Sequence, residues 1–187
     1  MKRIATLIAM AALMLDLGVA NVYAQHGPAT MSFSGTAVPS VITIQPGVVS
    51  SEYNLTGRGT LGAFTFRTVE SSDQPPGACP AADHSYSGAG VIRFEDGSMV
   101  MVNLTQGSDC LDFTSTAPVA HCTRTFQITG GTGRFKNLSS GTITLTETVL
   151  AVLFDVSNNP VLFAATGELT GTGSGMAMAA EAQGARQ

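Results

Sequence analysis

Chemistry in this sequence would have to come from a short list of side chains. Glu147 and Glu168 lie in two long Thr-rich segments, "GTITLTETVLAVLFDV" and "VLFAATGELTGT", joined by "SNNP". With Val156 opposite Val161, the two segments pair so that both carboxylates share one face, nearly opposite one another. Two carboxylates that close push one pKa upward, which is how an acid/base pair arises. The competing reading is two acids on the solvent side of a sheet. The histidines, His26, His84 and His121, offer less. His84 follows Cys79 with four residues between them and His121 abuts Cys122, but a Cys/His zinc site needs paired spacings such as Cys-x2-Cys, and none exists. No Gly-x-Ser-x-Gly elbow and no HExxH occurs. No metal and no cofactor is expected. The sequons at Asn54, Asn103 and Asn137 mark surface positions in a source that glycosylates.

The stretch "QITGGTGRF", Gln127 to Phe135, is the other chemical candidate, because glycine-rich runs can cradle phosphate. A P-loop requires Lys and then Ser or Thr after its last glycine, with a helix beyond. Here Arg134-Phe135 follows Gly133 and the next segment alternates like a strand. A dinucleotide fingerprint would need glycine at 136, where Lys136 stands. The run therefore reads as a tight turn, with Gly130, Gly131 and Gly133 permitting a sharp reversal and Phe135 dipping into the core.

Those residues need strands to position them. Apolar and polar residues alternate in steps of two along most of the chain, with Thr, Val, Ile and Phe dominant. The expected strands are Met31–Val38, Val41–Gln45, Glu52–Thr56, Thr60–Val69, Gly88–Glu95, Ser98–Thr105, Arg124–Thr129, Gly141–Val156 and Val161–Thr172. In "VIRFEDGSMVMV" the Asp96-Gly97 pair is the strongest short hairpin signal. A two-residue turn there sets Phe94 opposite Met99 and Ile92 opposite Met101, so both methionines fill the core. Cys79 precedes this hairpin and Cys110 follows it. A Cys79–Cys110 disulfide would staple the long loop "SSDQPPGACPAADHS", and Cys110–Cys122 is the alternative. Serial strands with short turns and no crossover helix point to an all-β fold, a single closed antiparallel barrel of about eight strands, calycin-like.

The opening "MKRIATLIAMAALMLDLGVANVYAQ" has a basic start, an apolar run and small residues before Ala24. That is the layout of a secretory signal peptide over residues 1–24, with a secreted or periplasmic product. The barrel domain then spans 25–172, and 173–187 is expected to be a mobile tail. No later segment is apolar enough for a membrane span. Charged residues make up only 12% of the chain and the formal net charge is −4, which argues against nucleic acid as a partner.

The segment "ITGGTGRFKNLSSGTITLT" resembles the hallmark of the allene oxide cyclase-like and dirigent-like barrels, and is most similar to small secreted bacterial members. Gly130, Gly131, Thr132, Gly133, Arg134, Phe135 and Gly141 carry the likeness. "TGRGTLGAFTF", "GVIRFEDGSMVMV" and "ATGELTGTGSG" support it in order along the chain. The resemblance implies a closed antiparallel barrel, oligomeric in many plant members. It transfers no activity, since the functional positions of the plant proteins have no residue-by-residue match here. The expected function is a non-catalytic barrel binding a small apolar ligand. The alternatives are a cofactor-free cyclase or isomerase working in an apolar cavity, and a surface protein using the apolar strip at Val149–Phe154, which also suggests a homo-oligomer.

Overall fold

The computed structural model describes residues 28–48, 50–114 and 117–173. The expected signal peptide and tail lie outside the described residues, apart from Gly173. Ten strands form one sheet: β1 (Ala29–Ser40), β2 (Ser50–Gly59), β3 (Gly62–Ser72), β4 (Gly77–Ala78), β5 (Ala82–His84), β6 (Tyr86–Phe94), β7 (Met99–Asp112), β8 (Val119–Gly131), β9 (Thr142–Phe154) and β10 (Pro160–Thr172). Strands β1, β2, β3, β6, β7, β8, β9 and β10 pair antiparallel with their neighbours around a complete circuit, and the β7–β8 and β1–β10 ladders close it. The short strands β4 and β5 lie outside that circuit and pair only with β7. This is the closed, roughly eight-stranded barrel read from the alternation, and no strand of the circuit keeps a free edge.

The period of two decides which residues face inward. In β1, Met31, Phe33 and Ala37 are buried, with Ser32 and Ser34 exposed between them. Inward positions of one half of the barrel carry large apolar groups. Phe66 and Phe126 meet edge to face at 5.4 Å, and Phe94 and Phe135 lie 4.8 Å apart. Met31, Leu61, Ile128, Ile143, Leu145 and Leu169 complete this fill. Each such buried side chain is worth about 1.5–3 kcal/mol of transfer free energy.

The glycine turn closes that packed end. Thr132 donates its backbone N–H to Met99 O at 2.8 Å and accepts from Met99 N at its hydroxyl, 3.1 Å. One 3-10 turn, Gly133–Phe135, follows, and Phe135 is buried at 1% exposure. Gly133 has φ +59°, and a Cβ there would strike the Ser98 side chain. A Cβ on Gly131 would strike Phe135 itself. Arg134 lies over the rings of Phe94 and Phe135 at 4.8 and 4.9 Å and donates to Leu61 O at 2.6 Å. The motif is a plug for one mouth of the barrel.

Three local expectations change. Residues Val41–Gln45 are a loop, with Val41 97% exposed, because no neighbouring strand is available to pair with them. The hairpin turn is one residue longer than a two-residue loop: Phe94 donates to Ser98 O, Gly97 has φ +81°, and Arg93, not Phe94, pairs with Met99. A one-residue slip turns every side chain of the returning strand over. Val100 and Val102 therefore fill the core, and Met99 and Met101 stand on the outer face. Finally, Gly167 pairs with Glu147, and Glu168 with Thr146, across an irregularity near Leu162. Glu147 points inward and Glu168 outward, so the expected carboxylate pair does not form.

Candidate functional site

The other half of the barrel is open. The C-terminal ends of β1, β3, β7 and β9 and the N-terminal ends of β2, β6, β8 and β10 surround a cavity of about 450 Å³. Several of its inward positions are polar. Glu70 ends the inward face of β3, Tyr86 begins that of β6, and Asp109 lies near the end of β7. Cys122 and Arg124 begin that of β8, and all five line the cavity. Glu70, Asp109 and Arg124 are each 4% exposed and Glu147 is 3% exposed, so this is a charged cluster withdrawn from water.

Arg124 organises it. Its Nε donates to Glu70 Oε2 at 2.9 Å, and one Nη donates to Asp109 Oδ2 at 3.3 Å. The other Nη donates to the carbonyls of Ser108 and Thr123, at 3.1 and 3.2 Å. The guanidinium plane lies 4.1 Å over the Tyr86 ring, and Tyr86 donates its hydroxyl proton to Asp109 Oδ2. Gly107 makes this stack possible, since a Cβ there would come within 2.6 Å of the Tyr86 ring and 3.1 Å of Arg124 Cδ. Burial raises the Tyr86 pKa above its ordinary value. Burial also raises that of Glu70, with Arg124 pulling it part of the way back. His84, on β5, brings Nε2 to 3.2 Å from Asp109 Oδ1, but not along a hydrogen-bonding direction.

Glu147 differs from the others. Neither of its carboxylate oxygens has a hydrogen-bond partner among the described residues. Burial, with the nearby charge of Glu70, pushes its pKa up to about 8, against the pull of Arg124. It therefore holds its proton at neutral pH. On the barrel wall it pairs across the strands with Cys122, and its inward neighbour two residues on, Val149, lines the cavity. Cys122 is a free thiol, and burial pushes it up to about 12. An uncharged, buried thiol is a poor nucleophile.

The rim is made by loops. Cys79 and Cys110 form the disulfide, with Cα atoms 4.8 Å apart, and Cys110 lies within β7 itself. The bridge and the small strands β4 and β5 fold residues 73–85 back on β7. Ser72, Asp73, Gln74, Pro75 and Pro76 then form one wall of the cavity. Gln45 secures the opposite loop by donating to Ser87 Oγ at 2.8 Å.

Of the residues singled out in the sequence, Glu147 belongs to this cluster, Cys122 lines the cavity beside it, and His84 borders it at Asp109. Glu168 and His121 are exposed on the outside, and His26 lies outside the described residues. The residues of the site itself, Glu70, Tyr86, Asp109 and Arg124, went unnoticed. Expected strands ended at Val69 and Thr105 and began at Arg124, so the site fell where the alternation fades. The available signal was an ionisable residue in phase with an inward apolar series: Phe64, Phe66, Glu70 on β3, or Phe126, Arg124 on β8. Among the described residues, no three His, Cys, Asp or Glu side chains gather as metal ligands, and no helix is long and apolar enough to cross a membrane.

No family model matches the chain, and neither a curated protein nor a solved structure matches it.

Proposed function

We propose that this chain is a secreted, non-catalytic barrel that binds one small molecule in the cavity at its open end. The observation that carries the reading is the cavity itself: about 450 Å³, within the range of small-molecule sites, with apolar walls and a few convergent polar groups at its base. The ligand is amphiphilic rather than purely apolar, since Glu70, Asp109 and Arg124 line the same space as Ala120, Val149 and Phe163. The leader-like opening and the disulfide support an oxidising compartment. The glycine-turn motif supports membership of the allene oxide cyclase-like barrels, a reading that rests on sequence likeness alone.

The test is extraction. Purified protein, denatured and analysed by mass spectrometry, is expected to release a small molecule in near-stoichiometric amount. Ala120→Trp, which fills the cavity, should release none while keeping its β circular dichroism. Equal release from both proteins, or release from neither, would overturn the reading.

A cofactor-free isomerase is the second reading, and Glu147 favours it. A buried carboxyl that keeps its proton to about pH 8 is matched to general acid chemistry at neutral pH. Returning the extracted molecule to fresh protein separates the two readings, because a binder gives it back unchanged and an isomerase converts it.

A further inference from the structure

The cluster at the base of the cavity has one cation and too many acids. Arg124 faces Glu70, Asp109 and Glu147, so the four groups carry one net negative charge with Glu147 protonated and two with it ionised. Four of the guanidinium's five N–H groups already have acceptors, which leaves little for an anionic ligand. Its Nε and both Nη atoms donate to Glu70, Asp109 and two carbonyls, and Tyr86 covers one face. Glu147, by contrast, is 3% exposed with both oxygens unpartnered. Such a group costs free energy until something donates to it.

The surroundings say what that donor must be. Facing Glu147 are Cys122 across the ladder on β8, Arg124 further along β8, Glu70 on β3 and Tyr53 on β2. Its β10 neighbour is Gly167, where a Cβ would strike Thr146 O and the Phe33 ring, so Glu147 is closed off on that side. Asp109 of β7 and His84 of β5 stand beyond, coupled to Tyr86 and Arg124. None of these is a cation free to pair with Glu147. The cavity is lined by Tyr53, Tyr86 and Phe163, rings that favour a cation, and Glu147 lies beside its lining residues Cys122 and Val149, one layer below the cavity surface.

We propose that the cavity takes a primary amine carried on an apolar body, its ammonium seated against Glu147 and its body against Tyr53, Val149 and Phe163. This rests on the small-molecule reading above and names the ligand class. Glu147 gives up its proton as the ammonium arrives, so binding releases a proton to solvent.

Three probes matched in body and differing in head group test it: 2-phenylethylamine, 2-phenylethanol and 3-phenylpropanoate, titrated by calorimetry into the full oxidised protein. The amine should bind at least about tenfold tighter than the other two. Its affinity should rise about tenfold per pH unit below 7 and level off above pH 8, the sign expected of a site that must lose a proton. Repeating the titration at pH 7 in two buffers of different ionisation enthalpy should show roughly one proton released. Glu147→Gln should erase the preference for the amine and leave the alcohol unchanged. If that variant fails to fold, the proton count on the unaltered protein decides. An alcohol or carboxylate bound as tightly as the amine, or amine binding without proton release, overturns the amine and leaves the cavity reading standing. Binding by none of the three overturns the amine as well, and the extraction experiment then decides the cavity reading separately.

Discussion

Arg124 and Glu147 are both buried ionisable groups, but they depend on their neighbours in opposite ways. Arg124 is satisfied on nearly every side, so removing it leaves Glu70 and Asp109, each 4% exposed, without their cationic partner. Arg124→Met is expected to cost about 3–5 kcal/mol in urea denaturation, the usual cost of breaking one partner out of a buried pair. Replacing Arg124, Glu70 and Asp109 together by apolar residues should recover much of that loss. Glu147 has no partner to lose. Its folded pKa of about 8 lies above that of an unfolded glutamate. The folded state therefore binds the proton more tightly, and stability is greatest below about pH 4.5 as far as this group is concerned. It is then lost as pH rises toward 8, by up to about 1.4 kcal/mol per unit. Burial-raised Glu70 adds to the same trend. Glu147→Gln should flatten the decline in melting temperature between pH 5 and 8, and an unchanged slope would contradict the assignment.

At the scale of elements, the barrel is divided by what its strands carry at each end. Apolar inward residues and the Gly130–Phe135 plug fill one half; polar inward residues and ordered loops frame the other. The Cys79–Cys110 bridge belongs to the second half, closing a sequence separation of 31 residues. Replacing both cysteines by serine is expected to lower stability by about 2–4 kcal/mol in guanidinium denaturation. Residues 73–85 should also exchange their amide protons faster, while the ladder around Phe126 and Ile143 stays protected. The first hairpin shows how much a turn decides. Asp96-Gly97 announced a reversal correctly, yet one added residue in the loop moved Val100 and Val102 into the core in place of the two methionines. Alternation with apolar residues on both faces, as in "SMVMV", cannot choose between the two registers; Gly97 at φ +81° and the Phe94–Ser98 hydrogen bond do.

The whole molecule presents an apolar edge beside the cavity. Val152, Leu153 and Phe154 at the end of β9 and Phe113 after β7 are between 48% and 60% exposed at that mouth. We propose that two copies associate through this strip. Sedimentation velocity at micromolar concentration should give a mass above that of one chain, and Phe154→Lys should return it to one; a single-chain mass for the unaltered protein would dismiss the interface. Closure of the sheet was legible in the sequence, because period-two alternation over serial strands with turn residues between them leaves little else to build. The core half of the barrel was legible for the same reason: an inward apolar residue announces itself by its phase. The site was not. Glu70, Asp109, Arg124 and Glu147 are separated by up to 77 positions in "TVESS", "GSDCL", "CTRTF" and "LTETV". Singly, each reads as an ordinary surface charge or a strand end. Only the closing of β7 on β8, and the register that turns Glu147 inward while Glu168 faces solvent, brings them into one desolvated space. Alternation states which face a residue takes relative to its neighbours in the strand. Which partners it meets, and whether water is present, depends on pairings that only the closed tertiary structure decides.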